Sequence, residues 1–533
     1  MHRPNRVASL AAFLGLAVCI ALFNAAAGAR GRAAKEESAQ SQEASPFHEE
    51  LIAEMSPGSE LKHMLVTLSH LAWVENVSGK RTVKLDGKQQ GAVYDDAKYL
   101  EASSDEKHFA FFAKRGSTWV FVLDGQEHPP EYTKTTAIDF QRKGSSIAYG
   151  ACREKKCRLV VDGTETGAEY ADISYPQYSR DGKRLAYLAK RDKKWIAVVD
   201  GKEMDPEAGE MWFSSWGFSP DGSRFYLAAA ARNNWMYAVD GAPGPEFEVI
   251  SGIAFSHDGR HYAYAGADAK GGFKKQKTIG TMILDGQAVA TYEGRGMAGA
   301  WTALGGSTQV MTRGVRELSA DFHGISTPQF NPEGKLVYAA RRDKGDVAVF
   351  AGTDAGPGFD EILSPVVFSE DSRHFAYVAK RGEDFVEVRD NTPGRAFSAG
   401  KRGPTDVQWI AMSGDATHLA YQAVSGGAQF KAGNTPRALR SVIIDGQAGP
   451  EYDAKNLVAF RFDAGAHHYS YAVLGAKGDR DLMNVDGHES RVYDAVAYPR
   501  FLEDKQAVTF VARDGTRFLR VTYALGPGGT GLR

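Results

Sequence analysis

The sequence predicts an all-β fold of tandem β-propellers built from four-stranded blades. Three observations carry that prediction. The chain repeats itself: residues 139–176 read DFQRKGSSIAYGACREKKCRLVVDGTETGAEYADISYP, and residues 177–201 begin the phrase again as QYSRDGKRLAYLAKRDKKWIAVVDG. The spacing is about 38 residues, the length of a repeat architecture. Two anchors hold the period. A small-aromatic pair recurs as Ala110-Phe111, Ala148-Tyr149, Ala186-Tyr187, Ala263-Tyr264, Ala376-Tyr377 and Ala420-Tyr421. Glycine follows Asp86, Asp124, Asp162, Asp200, Asp240, Asp285, Asp445 and Asp486, each after an apolar run. Finally, the apolar runs are strand-length and bounded by charged or glycine turns, and no stretch of the repeat holds a helical period for several turns.

Each element of the unit follows from these anchors. Strand a follows an Asp-Gly-Lys turn, as in Leu185–Ala189, and strand b ends at the next Asp-Gly, as in Ile196–Val199. Strand c carries a Tyr or Phe seven or eight residues after the Asp (Tyr94, Tyr132, Tyr170, Phe247, Tyr292, Tyr452, Tyr493), and strand d leads into the next unit. Four-stranded sheets repeated at this length are propeller blades. The chain holds about twelve units. The one near Trp301–Pro328 has lost its Asp-Gly anchors, and the last, from Arg500, lacks a clear strand c. Since propellers usually hold four to eight blades, the expectation is two rings of about six, one over 63–300 and one over 301–523, with a loose tail over 524–533.

The motifs Phe218-Ser-Pro-Asp-Gly222, Phe255-Ser-His-Asp-Gly259, Tyr178-Ser-Arg-Asp-Gly182 and Phe368-Ser-Glu-Asp371 resemble the TolB-type propeller repeat, a relative of the WD repeat. The resemblance covers residues 63–523. It implies a propeller and no particular activity, because this repeat occurs in binding proteins and in the non-catalytic propellers of some peptidases. TolB itself carries an α/β domain before its propeller, for which the residues ahead of these repeats leave too little length.

The ends read differently. Arg3 and Arg6 followed by the apolar Val7–Phe23 and the small residues Ala27-Gly28-Ala29 have the form of a secretory signal over 1–29. The alternative is an uncleaved anchor, since the apolar stretch approaches the ~17-residue spanning limit. Residues 30–62 are expected to be a disordered spacer, with one short amphipathic helix over Phe47–Met55. Export implies a periplasmic or secreted protein, without stable membrane insertion once the signal is cleaved. Cys152 and Cys157 flank a four-residue charged turn between strands a and b. Cross-strand neighbours can reach disulfide geometry, which an oxidising compartment favours. A loop this short adds roughly 2 kcal/mol by chain entropy. Two cysteines without a Cys/His pair nearby make a poor zinc site.

Functional residues are harder to pick out. Lys and Arg number 64 against 66 Asp and Glu, which argues against a nucleic-acid-coating protein. No Gly-x-Ser-x-Gly, His-Glu-x-x-His or phosphate loop is present, and neither cofactor nor metal is implied. Asp-Gly recurs in most units, so its role is the per-blade turn. His467-His468, adjacent on a strand, would point to opposite faces. A basic pair follows strand a at Lys114-Arg115, Lys190-Arg191, Arg341-Arg342 and Lys380-Arg381 and sums to a partial basic ring. Two a–b hairpins are longer than the rest, and both are basic with one Phe each. The first holds Lys270, Phe273, Lys274, Lys275 and Lys277; the second holds Phe430, Lys431, Arg437 and Arg440. Long loops on a rigid scaffold concentrate function, so these are the candidate contact residues for a protein or glycan partner. The expected function is therefore an exported, non-enzymatic scaffold of the cell envelope. The alternatives are a glycan lyase or hydrolase with its site in a propeller funnel, and a Tol-like structural module.

Overall fold

A computed structural model describes residues 46–205, 215–231, 234–270, 277–294, 328–342, 345–350, 352–369, 373–397, 404–425, 439–477 and 479–526. The fold is a β-propeller of four-stranded blades, and the described residues form eleven antiparallel sheets. In chain order, sheets 1 to 10 span 60–94, 96–132, 134–170, 172–204, 216–243, 249–294, 329–359, 361–397, 404–448 and 456–489. Sheet 11 combines 495–524 with the strand Phe47–Glu54. Within a sheet the order is d–a–b–c. Strand d is the segment that leaves the previous unit, and in sheets 4, 6 and 8 it is broken into two short pieces. The unit near Trp301–Pro328 lies outside the described residues.

The connections are those the turn residues dictate. Asp124 and Gly125 have φ of 50° and 78°, and the other seven Asp-Gly pairs match them. Two successive positive φ values make the type I′ turn whose twist suits a hairpin. Asp390 and Asn391 form a ninth such turn without glycine, at φ 48° and 63°, using the tolerance of Asn for the left-handed region.

The core lies between sheets. Alternation along strand a sends successive side chains to opposite faces. Phe111 packs with Val74 and Val83 of sheet 1, while its neighbour Phe112 packs with Tyr149 and Val160 of sheet 3. Where strand b carries an aromatic at its start, that side chain joins these layers. Trp119, Trp195 and Trp235 pack on the clusters around them, Phe385 is buried, and Phe518 lies 5.1 Å from Trp73.

Two expectations are corrected. Phe47–Glu54 is a strand, not a helix. It pairs antiparallel with Arg517–Ala524 and supplies the strand c that the last unit lacks. The division into two six-bladed rings near residue 300 also fails. Residues up to Glu169 belong to one compact unit with residues 355–526, because the N-terminal strand completes the last sheet. Arg500 of sheet 11 then donates to the Leu68 carbonyl of sheet 1 at 2.5 Å, so the two ends close on each other. The second compact unit takes residues 170–341 and 348–354. Residue 300 itself, the signal-like residues 1–29 and the tail from 527 lie outside the described residues.

Candidate functional site

The rim of the sheets is built from turn aspartates, and each has a full set of partners. Asp124 Oδ1 accepts the Phe109 amide at 2.9 Å, and its Oδ2 pairs with His108 Nδ1 at 2.8 Å. The same two contacts recur with His70 on Asp86, His261 on Asp285, His374 on Asp390, His418 on Asp445 and His468 on Asp486. Arg184 and Arg224 fill the histidine place on Asp200 and Asp240. A second aspartate, in the Ser-x-Asp motif, closes the d–a turn. Ser179 Oγ donates to Asp181 at 2.6 Å, and the Arg184 amide donates back to Ser179 Oγ at 3.0 Å. These hydrogen bonds hold Asp105, Asp181, Asp258 and Asp415 below the usual carboxylate range. Both sets of aspartates, and the six histidines paired with them, are therefore structural.

The basic ring is likewise committed in large part. Tyr94 at the end of sheet 1 donates to Glu127 of sheet 2 at 2.8 Å. Arg115 pairs with that Glu127 at 2.5 Å and stacks 5.7 Å from the Tyr94 ring. Tyr170, Glu203 and Arg191 repeat the arrangement. Arg153 pairs with Glu165 while stacking on Tyr132. Burial, together with the Glu127 carboxylate, pushes Tyr94 up to about 12. Each guanidinium fastens one sheet to the next.

A few buried or half-buried groups do not follow the repeat. Lys98 in strand d of sheet 2 places Nζ 4.0 Å over the Trp119 ring and 4.5 Å over that of Tyr99. Burial pulls its pKa down to about 8. Glu101, three residues on, is pushed up to about 8 by burial and then by Asp139 in strand d of sheet 3. Glu387 of sheet 8 is 8% exposed, and its Oε1 has no hydrogen-bond partner. Burial pushes it up to about 7 against the pull of Arg389. No motif marks these three, since each stands at a repeat position that elsewhere holds other residue types.

The two long hairpins divide. Strands a and b of sheet 6 continue to the pair Lys270↔Lys277; Phe273, Lys274 and Lys275 lie outside the described residues. In sheet 9, Phe430, Lys431 and Arg437 also lie outside them. Arg440 is half-buried. It donates to the Ala454 carbonyl at 2.6 Å, and its backbone pairs with Tyr452. That commitment sets it apart from a hairpin tip. Cys152 and Cys157 face each other across strands a and b and are joined in a disulfide, both buried.

No family model matches the chain, and no curated protein sequence does. Among solved structures it is similar to a eukaryotic initiation factor, at 12% identity over 74% of this chain and 94% of that one, TM-score 0.36. It is also similar to a putative TolB from Agrobacterium tumefaciens (17% identity, 49% and 85% covered, TM-score 0.22). TolB from Acinetobacter baumannii is a further neighbour (11%, 58% and 77%, TM-score 0.25). TolB is thus found among the neighbours of a chain whose repeat motifs resemble its own. Likenesses at these scores say nothing of activity, and the propeller assignment rests on the eleven sheets themselves. Among the described residues no helix is long and apolar enough to cross a membrane.

Proposed function

We propose that this chain is an exported, non-enzymatic propeller scaffold that binds a protein or glycan partner in the cell envelope. One observation carries the reading. The acids and bases most available for chemistry are committed, sheet after sheet, to turns and inter-sheet clasps. A surface built this way leaves recognition to the loops that vary between units. The two basic hairpins around Lys274 and Lys431 vary most in length, and they would meet an acidic protein face or an anionic glycan.

The test is capture from an envelope fraction with the full chain as bait. A chain carrying Lys274→Glu, Lys275→Glu and Lys277→Glu is expected to recover the partner at least tenfold less well. Equal capture by that variant removes the hairpin from the reading, and no capture by either chain removes the scaffold role. The rival reading, a glycan hydrolase, draws on Glu101 beside Asp139, a carboxyl pair of the kind such enzymes use. Release of reducing sugar that Glu101→Gln abolishes would establish it instead.

A further inference from the structure

A crevice opens between sheets 11 and 1, where the chain closes on itself. Its walls are apolar: Ile52 of the N-terminal strand, Val66 and Leu71 of sheet 1, and Phe510 and Val511 of sheet 11. Its rim carries Arg500 and Arg520. The crevice is shallow: its enclosed volume is about 40 Å³, and the rest of its space opens to solvent.

Arg520 departs from the repeat. It sits on strand b opposite Val511 of strand a. Eight other sheets put an apolar or tyrosine side chain at that register, among them Val83, Phe121, Leu159 and Met483. The position faces the next sheet and normally fills the space between them. In sheet 11 a guanidinium stands there instead, and the space is a crevice. Its nearest carboxylate is Glu50 at 3.7 Å, itself largely in solvent, a pairing that screening leaves weak.

Arg500 comes from the opposite edge of the same sheet, on strand d facing Thr509. It donates to the Leu68 carbonyl at 2.5 Å, which uses one of the five N–H donors a guanidinium carries. The one lining acid, Asp86, has both oxygens occupied by the Leu71 amide and His70. The crevice therefore offers two cations over an apolar floor.

We propose that this crevice binds a carboxylate bearing a short aliphatic group. Arginine meets carboxylate with parallel N–H donors, and the walls of Ile52, Val66, Leu71 and Val511 take the aliphatic part. Two sources share this chemistry: a free short-chain fatty acid, and the C-terminal residue of a peptide ending in Leu or Val. The site is independent of the hairpin tips. Its walls come from both ends of the chain, so an occupant bridges the closure and stabilises it by mass action.

Calorimetric titration of the full chain uses three probes: hexanoate, acetyl-Ala-Gly-Ala-Leu with a free carboxylate, and the same peptide as its amide. Saturable binding is expected for at least one carboxylate, with a raised melting temperature and at least tenfold weaker binding of the amide. Binding of hexanoate alone assigns the site to free acids; tighter binding of the peptide acid assigns it to C-termini. Arg520→Leu, which restores the kind of side chain the other sheets carry, is expected to melt no lower than the parent and to bind at least tenfold more weakly. Arg500→Gln is expected to weaken binding similarly and reads out the site should the first variant fold poorly. Absence of saturable binding by both carboxylates overturns the proposal, as does unchanged binding by folded variants of both arginines.

Discussion

Glu101 shows how a single side chain can set the pH response of a sheet interface. Burial, and then Asp139, disfavour the carboxylate and push it up to about 8 in the folded chain, whereas in the unfolded chain it titrates near the ordinary 4.5. Between those values the folded chain holds a proton that the unfolded chain has released. Stability therefore falls as pH rises through that window, and no penalty remains below it. The full loss is on the order of a few kcal/mol. Glu101→Gln removes the titrating group, so thermal melts at pH 9 are expected to show the variant more stable than the parent, with the gap closed at pH 4. An equal gap at both pH values would show that this carboxyl is not the source. At the same scale, the turn residues were legible and their partners were not. Asp-Gly announces its turn by backbone chemistry alone. The His or Arg that pairs with it lies sixteen residues earlier in the short hairpins, as in His108–Asp124 and Arg184–Asp200, but 24 and 27 earlier in the long ones, at His261–Asp285 and His418–Asp445. The varying hairpin length and the alternation of two residue types together hide it.

The N-terminal strand was misread because its apolar residues are spaced for a helix. Phe47, Leu51 and Met55 recur every four residues. In the sheet, Phe47, Ala53 and Met55 are buried while Leu51 is half-exposed, and a register shift between Leu51 and Ala53 breaks the two-residue alternation that would have marked a strand. Two other signals pointed the right way. The last unit lacked a strand c, and Glu49 stands where Glu127 and Glu203 stand in their own strands c. Tyr493 donates to Glu49 at 2.7 Å, and Arg491 grips it at 2.6 and 3.0 Å while stacking on Tyr493. The inter-sheet clasp therefore continues across the chain ends. Arg491 and the hydrogen bond from Tyr493 keep the Glu49 carboxyl below its usual range against partial burial. Glu49→Ala leaves the buried Tyr493 hydroxyl without its acceptor and Arg491 with Asp514 alone, at a cost of about 2 kcal/mol. Hydrogen exchange is expected to report it as faster exchange along Arg517–Ala524, with sheet 2 unchanged. Uniform loss across both would place the effect elsewhere.

At the scale of the molecule, a repeat records which neighbour each sheet touches and nothing about where the series ends. The number of units was nearly legible for that reason, and the manner of closure was not. The ends are joined by contacts between residues more than 400 apart, such as Tyr493 with Glu49 and Arg500 with the Leu68 carbonyl, which no period can encode. The N-terminal strand also protects an edge: without it, the strand Arg517–Ala524 would present unpaired amides and carbonyls, a template for pairing with another chain. Burial of Phe47, Ala53 and Met55 contributes on the order of 5 kcal/mol to holding it in place. A chain lacking residues 1–55 is therefore expected to melt lower and to self-associate, as read by scanning calorimetry and sedimentation velocity. A synthetic peptide of residues 46–56 should restore both the monomer and the melting temperature, because the missing strand makes its bonds to a preformed edge and needs no covalent link to do so. The same peptide with Glu49 replaced by alanine should rescue less well. A truncated chain that stays monomeric and melts with the parent would mean that sheet 11 is stable on three strands and needs nothing from the N-terminal strand.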